Sequence, residues 1–347
     1  MSLKSLCQLR HLPLAGLLLT TVACNSRATL EEEQQQAYES AEASPLEVID
    51  YYPARDVPGV PRNIQPYFFF NRPVDETLPL ALQFQQVQGN PVMFASQLDF
   101  DGAGMRFVSS SGLAFSGDVQ ANFELSLLED TRVVLDGSEF SSVFPEGMLF
   151  NMTTGLSVEK FGSGVSQPHM LQAFFTPGVY PLWILCVEGL TSETTFPAVL
   201  NYYLGPAYIR EDGTYRIYRH VGFSTIFRQV YVDASGTFQT EPENEFLPLD
   251  TPDQVVPTWM AQLQIEGRLL LSAEEGKAEE GKIEDFQLTG IMPARSLLLL
   301  AAASDNYASA INTLHLDVDL NGNGIEDAAT FAVKSQPVSI SPSLWNP

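Results

Sequence analysis

The densest run of potential ligands reads Asp317-Val318-Asp319-Leu320-Asn321-Gly322-Asn323-Gly324-Ile325-Glu326-Asp327. Carboxylate and amide oxygens at alternate positions, followed by Gly, suit a chain that wraps several hard oxygen ligands around one calcium ion. The candidate ligands are Asp317, Asp319, Asn321, Asn323 and Asp327. Where an EF-hand loop ends on a bidentate Glu, this chain has Ala328, with Asp327 one step early. The same residues suit a hairpin turn, because Asn-Gly accepts positive φ, so calcium and a plain turn are both open at this stage.

Other chemistry is sparse. His169, His220 and His315 fall in no H-x-x-x-H or comparable ligand spacing, which argues against zinc. No G-x-S-x-G elbow occurs. Acids are so numerous, 42 Asp and Glu, that a carboxylate pair for glycoside hydrolysis is always available on paper and singles out no residue. Cys186 lies in the apolar run Pro181 to Val187 with no cation nearby in sequence, the setting of a buried, unreactive thiol. Trp183, Trp259 and Trp345, with Tyr202, Tyr203, Tyr215 and Tyr218, suit core packing or a sugar-stacking face. No catalytic residue is assigned.

The elements that must position these residues read as strands. Short alternating runs punctuated by Gly, Pro, Asp and Asn recur along the chain, as at Tyr67 to Phe70, Gln120 to Leu128, Gly213 to Tyr218 and Gln229 to Val232. With 23 Pro and 24 Gly there is little room for long helices. The best helical stretch is Arg295 to Ala303, which would also serve as a buried strand. Leu314, Leu316, Val318 and Leu320 alternate with polar residues and predict a strand into the acidic loop, with Phe331 to Val333 as its return. The expected fold class is all-β. A formal charge of −24 repels phosphate backbones, so no nucleic-acid partner is expected, and the acidity also keeps an exposed protein soluble.

The first residues carry Lys4 and Arg10 with no acid before Glu31, and Leu12 to Ala23 is apolar but shorter than the roughly 20 residues that span a bilayer. This pattern predicts an export signal ending at Ala23. Thr21-Val22-Ala23-Cys24 resembles the lipobox of bacterial lipoproteins, with Thr21 where Leu is usual. That resemblance implies cleavage before Cys24, lipidation (palmitate) on Cys24 and attachment to a membrane. Asn25, a residue other than Asp after the cysteine, implies sorting to the outer membrane. Removing 23 residues leaves 324 of 347, and losing Lys4 and Arg10 takes the charge from −24 to −26. Residues 24–44, with Glu31-Glu32-Glu33-Gln34-Gln35-Gln36, read as a polar acidic tether, transiently helical at most. Glu274 to Gly281 reads as a solvated loop.

From Pro45 the chain runs Leu46-Glu47-Val48-Ile49-Asp50, then Tyr52-Pro53-Ala54-Arg55-Asp56-Val57-Pro58-Gly59-Val60-Pro61-Arg62-Asn63, then Phe68-Phe69-Phe70-Asn71-Arg72-Pro73-Val74-Asp75. This stretch, with Met105 to Phe107, Leu113 and Phe123 to Leu125, resembles the SbsA-type (surface-layer) bacterial Ig-like domain. The resemblance implies an antiparallel β-sandwich over residues 45–130, acting as a spacer or interaction module and supplying no catalytic residue. The rest, 131–347, reads as a larger β-rich domain. The chain is therefore expected to be an envelope lipoprotein with a structural or partner-binding role, its partner an unknown protein or glycan. The rival readings are an extracytoplasmic hydrolase acting on glycans and a carbohydrate-binding surface protein.

Overall fold

A computed structural model describes residues 30–32, 34–36, 38–39, 46–52, 65–74, 80–86, 92–98, 102–109, 120–127, 131–133, 140–141, 144–163, 181–209, 211–217, 225–250, 255–272, 280–303, 308–309, 311–312, 314–320, 322 and 324–344. Cys24 and the export signal, the loop 53–63, His169, His220, Trp345, Asn321 and Asn323 lie outside these residues. The protein is mostly β, as the alternating runs require.

The first sheet comprises β1 (Val48–Tyr52), β2 (Tyr67–Phe70), β3 (Leu80–Gln86), β4 (Val92–Leu98), β5 (Gly104–Ser109), β6 (Gln120–Leu127), β7 (Thr131–Val133) and β8 (Phe140–Ser141). Its strand order is β1-β2-β5-β4-β3-β6-β7, with β8 also paired to β6, and every pairing is antiparallel. The sheet thus continues through β7 and β8 to residue 141, past the sequence-based boundary at 130. Phe68, Phe70 and Phe107 are fully buried, with Phe68 and Phe107 edge to face at 5.5 Å.

The second sheet is built from β9 (Gly147–Asn151), β10 (Ser157–Phe161), β11 (Pro181–Glu188), β12 (Ala198–Ile209), β13 (Tyr215–Ile217), β14 (Thr225–Val232), β15 (Thr237–Gln239), β16 (Glu243–Asp250), β17 (Val255–Ser272), β18 (Glu280–Pro293), β19 (Ala328–Ser335) and β20 (Val338–Ser339). Pairing runs β9-β11-β12-β14-β15-β17-β18-β20 and returns to β9, a closed antiparallel ring of eight strands. Ring closure removes exposed edges and leaves an interior of a size that side chains can fill. Phe150, Leu185, Tyr202, Phe227, Phe238 and Ile265 belong to one buried cluster that links the strands of the ring and fills it. The helix Ala294–Ala303, with Leu297 to Ala301 buried, adds to the same cluster, so the Arg295–Ala303 stretch is helical rather than a strand.

Long β17 and β18 serve two layers. Their distal halves leave the ring, β17 pairing with β16 and β18 with β19, which in turn pairs with β10. Such bends need bulges. Gln229, Gln262 and Asp285 each have φ of 52°, and each falls where a strand register shifts. Two of these bulges are held by an asparagine from the neighbouring strand: the Gln229 N–H donates to Asn201 Oδ1 at 2.9 Å and the Gln262 N–H to Asn244 Oδ1 at 3.0 Å.

The polar stretch expected to be a tether is helical at its described positions between residues 30 and 39. Its two apolar side chains point inward: Leu30 is buried in the main core cluster, and Tyr38 is buried as well. Leu30 and Tyr38 dock, while Glu31, Glu32, Gln35, Gln36 and Glu39 remain exposed to water. No helix among the described residues is long and apolar enough to cross a membrane.

Candidate functional site

The acidic loop is organised by its carboxylates. Asp317 accepts from Thr330 N–H at 2.8 Å and from Thr330 Oγ1–H at 2.6 Å, and pairs with Lys160 Nζ at 3.0 Å. Burial raises its pKa, but the bonds from Thr330 and Lys160 together outweigh that effect and hold it below the usual carboxylate range. Asp319 accepts from the N–H groups of Gly322 and Gly324, both at 2.7 Å, and both glycines have positive φ. Asp327, buried, accepts from Leu320 N–H at 2.8 Å. All three described candidate ligands therefore act as acceptors for protein donors, the arrangement of a hydrogen-bonded turn. No group of three or more His, Cys, Asp or Glu suited to a metal occurs among the described residues.

The approach to this loop is not the expected strand. Residues 314–320 pair with β19 as a single bridge, Val318–Ala328, beside the Asp317–Thr330 bonds, because β19 from Phe331 to Lys334 is already paired on both sides by β10 and β18. The segment instead crosses the end of β10, where Ser163 N–H donates to His315 O at 2.9 Å. Asp319→Ala would remove two charge-assisted bonds from the turn, a loss of about 1–2 kcal/mol in all. The expected result is a fall of roughly 2–6 °C in Tm, measured by calorimetry. An unchanged Tm would show that the glycine amides hold the loop without the carboxylate.

A second cluster brings the two sheets together. Asp50 on β1 accepts from Tyr51 N–H at 2.7 Å through one oxygen and from the Trp259 indole N–H at 2.9 Å through the other. Trp259, on β17, also packs against Phe69 of β2 with ring centroids 6.0 Å apart, and Tyr67 of β2 meets Phe246 of β16 edge to face at 5.6 Å. Arg295 enters from the helix: its guanidinium lies 4.5 Å from the centroid of the Phe69 ring and donates to Tyr67 Oη at 3.3 Å. Ser296 Oγ–H donates to Trp259 O at 2.6 Å and fixes the strand that carries the indole.

The electrostatics of this seam are unusual. Burial raises the Asp50 pKa from 3.8 to about 6, against the lowering effect of its bonds to Tyr51 and Trp259. Glu245 of β16 is pushed well above the ordinary range by burial first, then by the charges of Asp50 and Glu243; Arg228 and the Phe246 N–H oppose this. The Asp50 charge thus adds to the cost of ionising Glu245. The sequence does hold a faint sign. Along β1, Asp50 is the lone acid among Val48, Ile49, Tyr51 and Tyr52. Arg295 likewise stands, with Ser296, at the start of a helix that is otherwise Leu and Ala.

The remaining candidates are structural. Cys186 is free and buried, and burial with the nearby Glu188 pushes its thiol up to about 12, far from a reactive thiolate. Glu188 accepts from Asn201 Nδ2 and from Tyr203 Oη, each at 2.8 Å, and so ties β11 to β12. Trp183 is in the core and Trp259 in the seam, so neither contributes to an open stacking platform. Among exposed aromatics Tyr231 stands out, 60% accessible and directly opposite the 61% accessible Val199. Comparison with protein-family models, with curated proteins and with solved structures returns no match.

Proposed function

We propose that this chain is a lipid-anchored protein of the bacterial cell envelope, held through Cys24 at the outer membrane, with a structural or partner-binding role and no catalysis. The observation that carries the reading is Thr21-Val22-Ala23-Cys24 directly behind a basic start and an apolar run. Lipid attachment contributes about 0.8 kcal/mol for each buried methylene, and several chains on one cysteine hold a protein without a spanning helix. In this reading the first sheet is the SbsA-type Ig-like module, and the filled ring is a rigid platform for a protein or glycan partner. Support comes from the antiparallel pairing of β1, β2 and β5, which carry the residues of that resemblance.

Cys24→Ala is the test. In a bacterial host, wild type should incorporate radioactive palmitate and fractionate with membranes, whereas the variant should lose the label and appear in the soluble fraction. Retention of the variant on membranes would refute the anchor. Calcium is the cofactor whose chemistry suits the loop spacing. It gains support if calcium raises the Tm of wild type and not of an Asp317→Ala, Asp319→Ala variant.

One observation favours the rival hydrolase reading. A carboxyl kept protonated near neutrality beside a second carboxyl is what a glycosidase needs as general acid, and Asp50 with Glu245 supplies such a pair. Both Asp50 oxygens are already engaged by Tyr51 and Trp259, however, which suits a structural joint better than a proton donor aimed at substrate. Release of reducing sugar from envelope glycans, lost in Asp50→Asn and Glu245→Gln, would establish the hydrolase instead.

A further inference from the structure

The wall of the ring carries an ordered row of side chains apart from the acidic loop and the seam. Leu200, Val232, Phe238, Ile265 and Leu288, on neighbouring strands of the sheet, lie in the buried cluster. Side chains alternate along a strand, so the adjoining Val199, Tyr231, Gln239, Glu266 and Gln287 face away from it. Val199 pairs with Tyr231, Gln239 with Glu266 and Glu266 with Gln287, and the pairing of Val232 with Phe238 sets Gln239 beside Tyr231. The register thus forms one row across β12, β14, β15, β17 and β18. At a strand spacing of about 4.8 Å its four steps span roughly 19 Å.

We propose that this row is a binding face for a neutral, unbranched glycan, with Tyr231 stacked on the C–H face of one hexose and Gln239, Glu266 and Gln287 taking hydroxyls of the units beyond it. Among the described residues Tyr231 is the one aromatic of the exposed large apolar side chains. A hexose has an apolar C–H face and a polar rim, which a single exposed ring continued by amides matches; a protein partner asks for a broader apolar centre. Cross-strand packing explains why Val199 stands opposite Tyr231, and the polar continuation of the row is what suits the pair to a sugar. Gln both donates and accepts, as a sugar hydroxyl does. Gln239 Nε2–H donates to Glu266 Oε2 at 3.3 Å, so these two side chains are held before a ligand arrives, which lowers the cost of ordering them.

Charge favours an uncharged polymer. In the next row Arg268 stands opposite Glu284 and is paired with it, and Lys282 pairs with the same carboxylate. Glu266 and Glu284 are therefore balanced by Arg268 and Lys282, although the whole chain carries −24. A locally balanced face gives a charged partner little steering. The inference narrows the partner of the envelope reading to a glycan, and rests on that reading only for where such a polymer is met.

Calorimetric titration of the purified full chain with the hexamers of cellulose, chitin and laminarin tests it, with a polygalacturonate oligomer as the anionic comparison. At least one neutral hexamer should bind. Tyr231→Ala should weaken that binding about tenfold and Gln239→Ala about threefold. Tyr231→Phe, which keeps the ring, and Ile49→Ala, which alters an exposed apolar residue of the first sheet, should bind as wild type does. Failure of all three neutral hexamers would overturn the glycan face. So would tighter binding of the anionic oligomer, or neutral binding that Tyr231→Ala leaves unchanged. Self-association in the ultracentrifuge, abolished by Tyr231→Ala and without glycan binding, would assign the face to a second copy of the chain instead. If Tyr231→Ala does not fold, Gln239→Ala decides. The palmitate test on Cys24 is separate, so a failure here leaves the anchor standing.

Discussion

Gly162→Ala is expected to destabilise the protein by about 2–4 kcal/mol, from a positive-φ cost of about 1 kcal/mol and an overpacking cost of about 1–3 kcal/mol. Gly162 has φ of 64°, and its N–H donates to Thr330 O at 2.7 Å. A Cβ built there would collide with the carbonyl oxygen of His315, which is backbone and has no rotamer to yield. At this point the chain approaching the acidic loop crosses the end of β10, so relief of the clash would have to move that whole segment. Gly189→Ala is the control: φ there is 73°, but nothing lies within 4 Å of a new Cβ. It should cost only the backbone share, about 1 kcal/mol. Urea denaturation of both variants separates contact from conformation. Equal losses would show that the crossing is not tightly packed.

The second large effect changes sign with pH. The Asp50 pKa is raised in the folded state from 3.8 to about 6, so the native protein binds the proton more readily than the unfolded chain. The stability this contributes is fully present below about pH 3.8 and is lost as pH rises through about 6, a change of up to about 3 kcal/mol. Asn at this position cannot ionise, but its one carbonyl oxygen serves two donors less well, at a cost of about 1 kcal/mol. Asp50→Asn should therefore be more stable than wild type by about 1–2 kcal/mol near pH 7.5 and less stable by about 1 kcal/mol near pH 3.5. Urea midpoints across that range would cross once. A variant less stable than wild type at every pH would show that Asp50 is stabilising as a carboxylate and that burial does not set its titration.

Local pattern made the strands legible. Tyr67 to Phe70 and Gln229 to Val232 alternate or run apolar between turn residues, and each lies within a strand. The Arg295–Ala303 helix was readable from its Leu and Ala content. Ring closure was not, because β20 has only two residues and joins β18 to β9 through Val338 and Ser339. A pair so short leaves no periodicity to read. The approach to the acidic loop misled for a related reason: Leu314 to Leu320 has the alternation of a strand, yet the edges of β19 are already occupied, and periodicity says nothing of competition for partners. The seam was hidden by distance, since Asp50 and Trp259 are 209 residues apart. Asp50 among apolar strand neighbours was a local sign, and in a chain with 42 acids it did not stand out.

The buried Leu30 sets a length. Leu30 lies only six positions beyond Cys24, and a fully extended chain covers at most about 3.6 Å per residue, so about 22 Å is the longest mooring between a lipid at Cys24 and the packed core. That is less than the width of an ordinary domain. On the proposed anchor the body rides at the headgroups with one side always turned to the bilayer, and any partner must approach from the flank or from the side opposite Leu30.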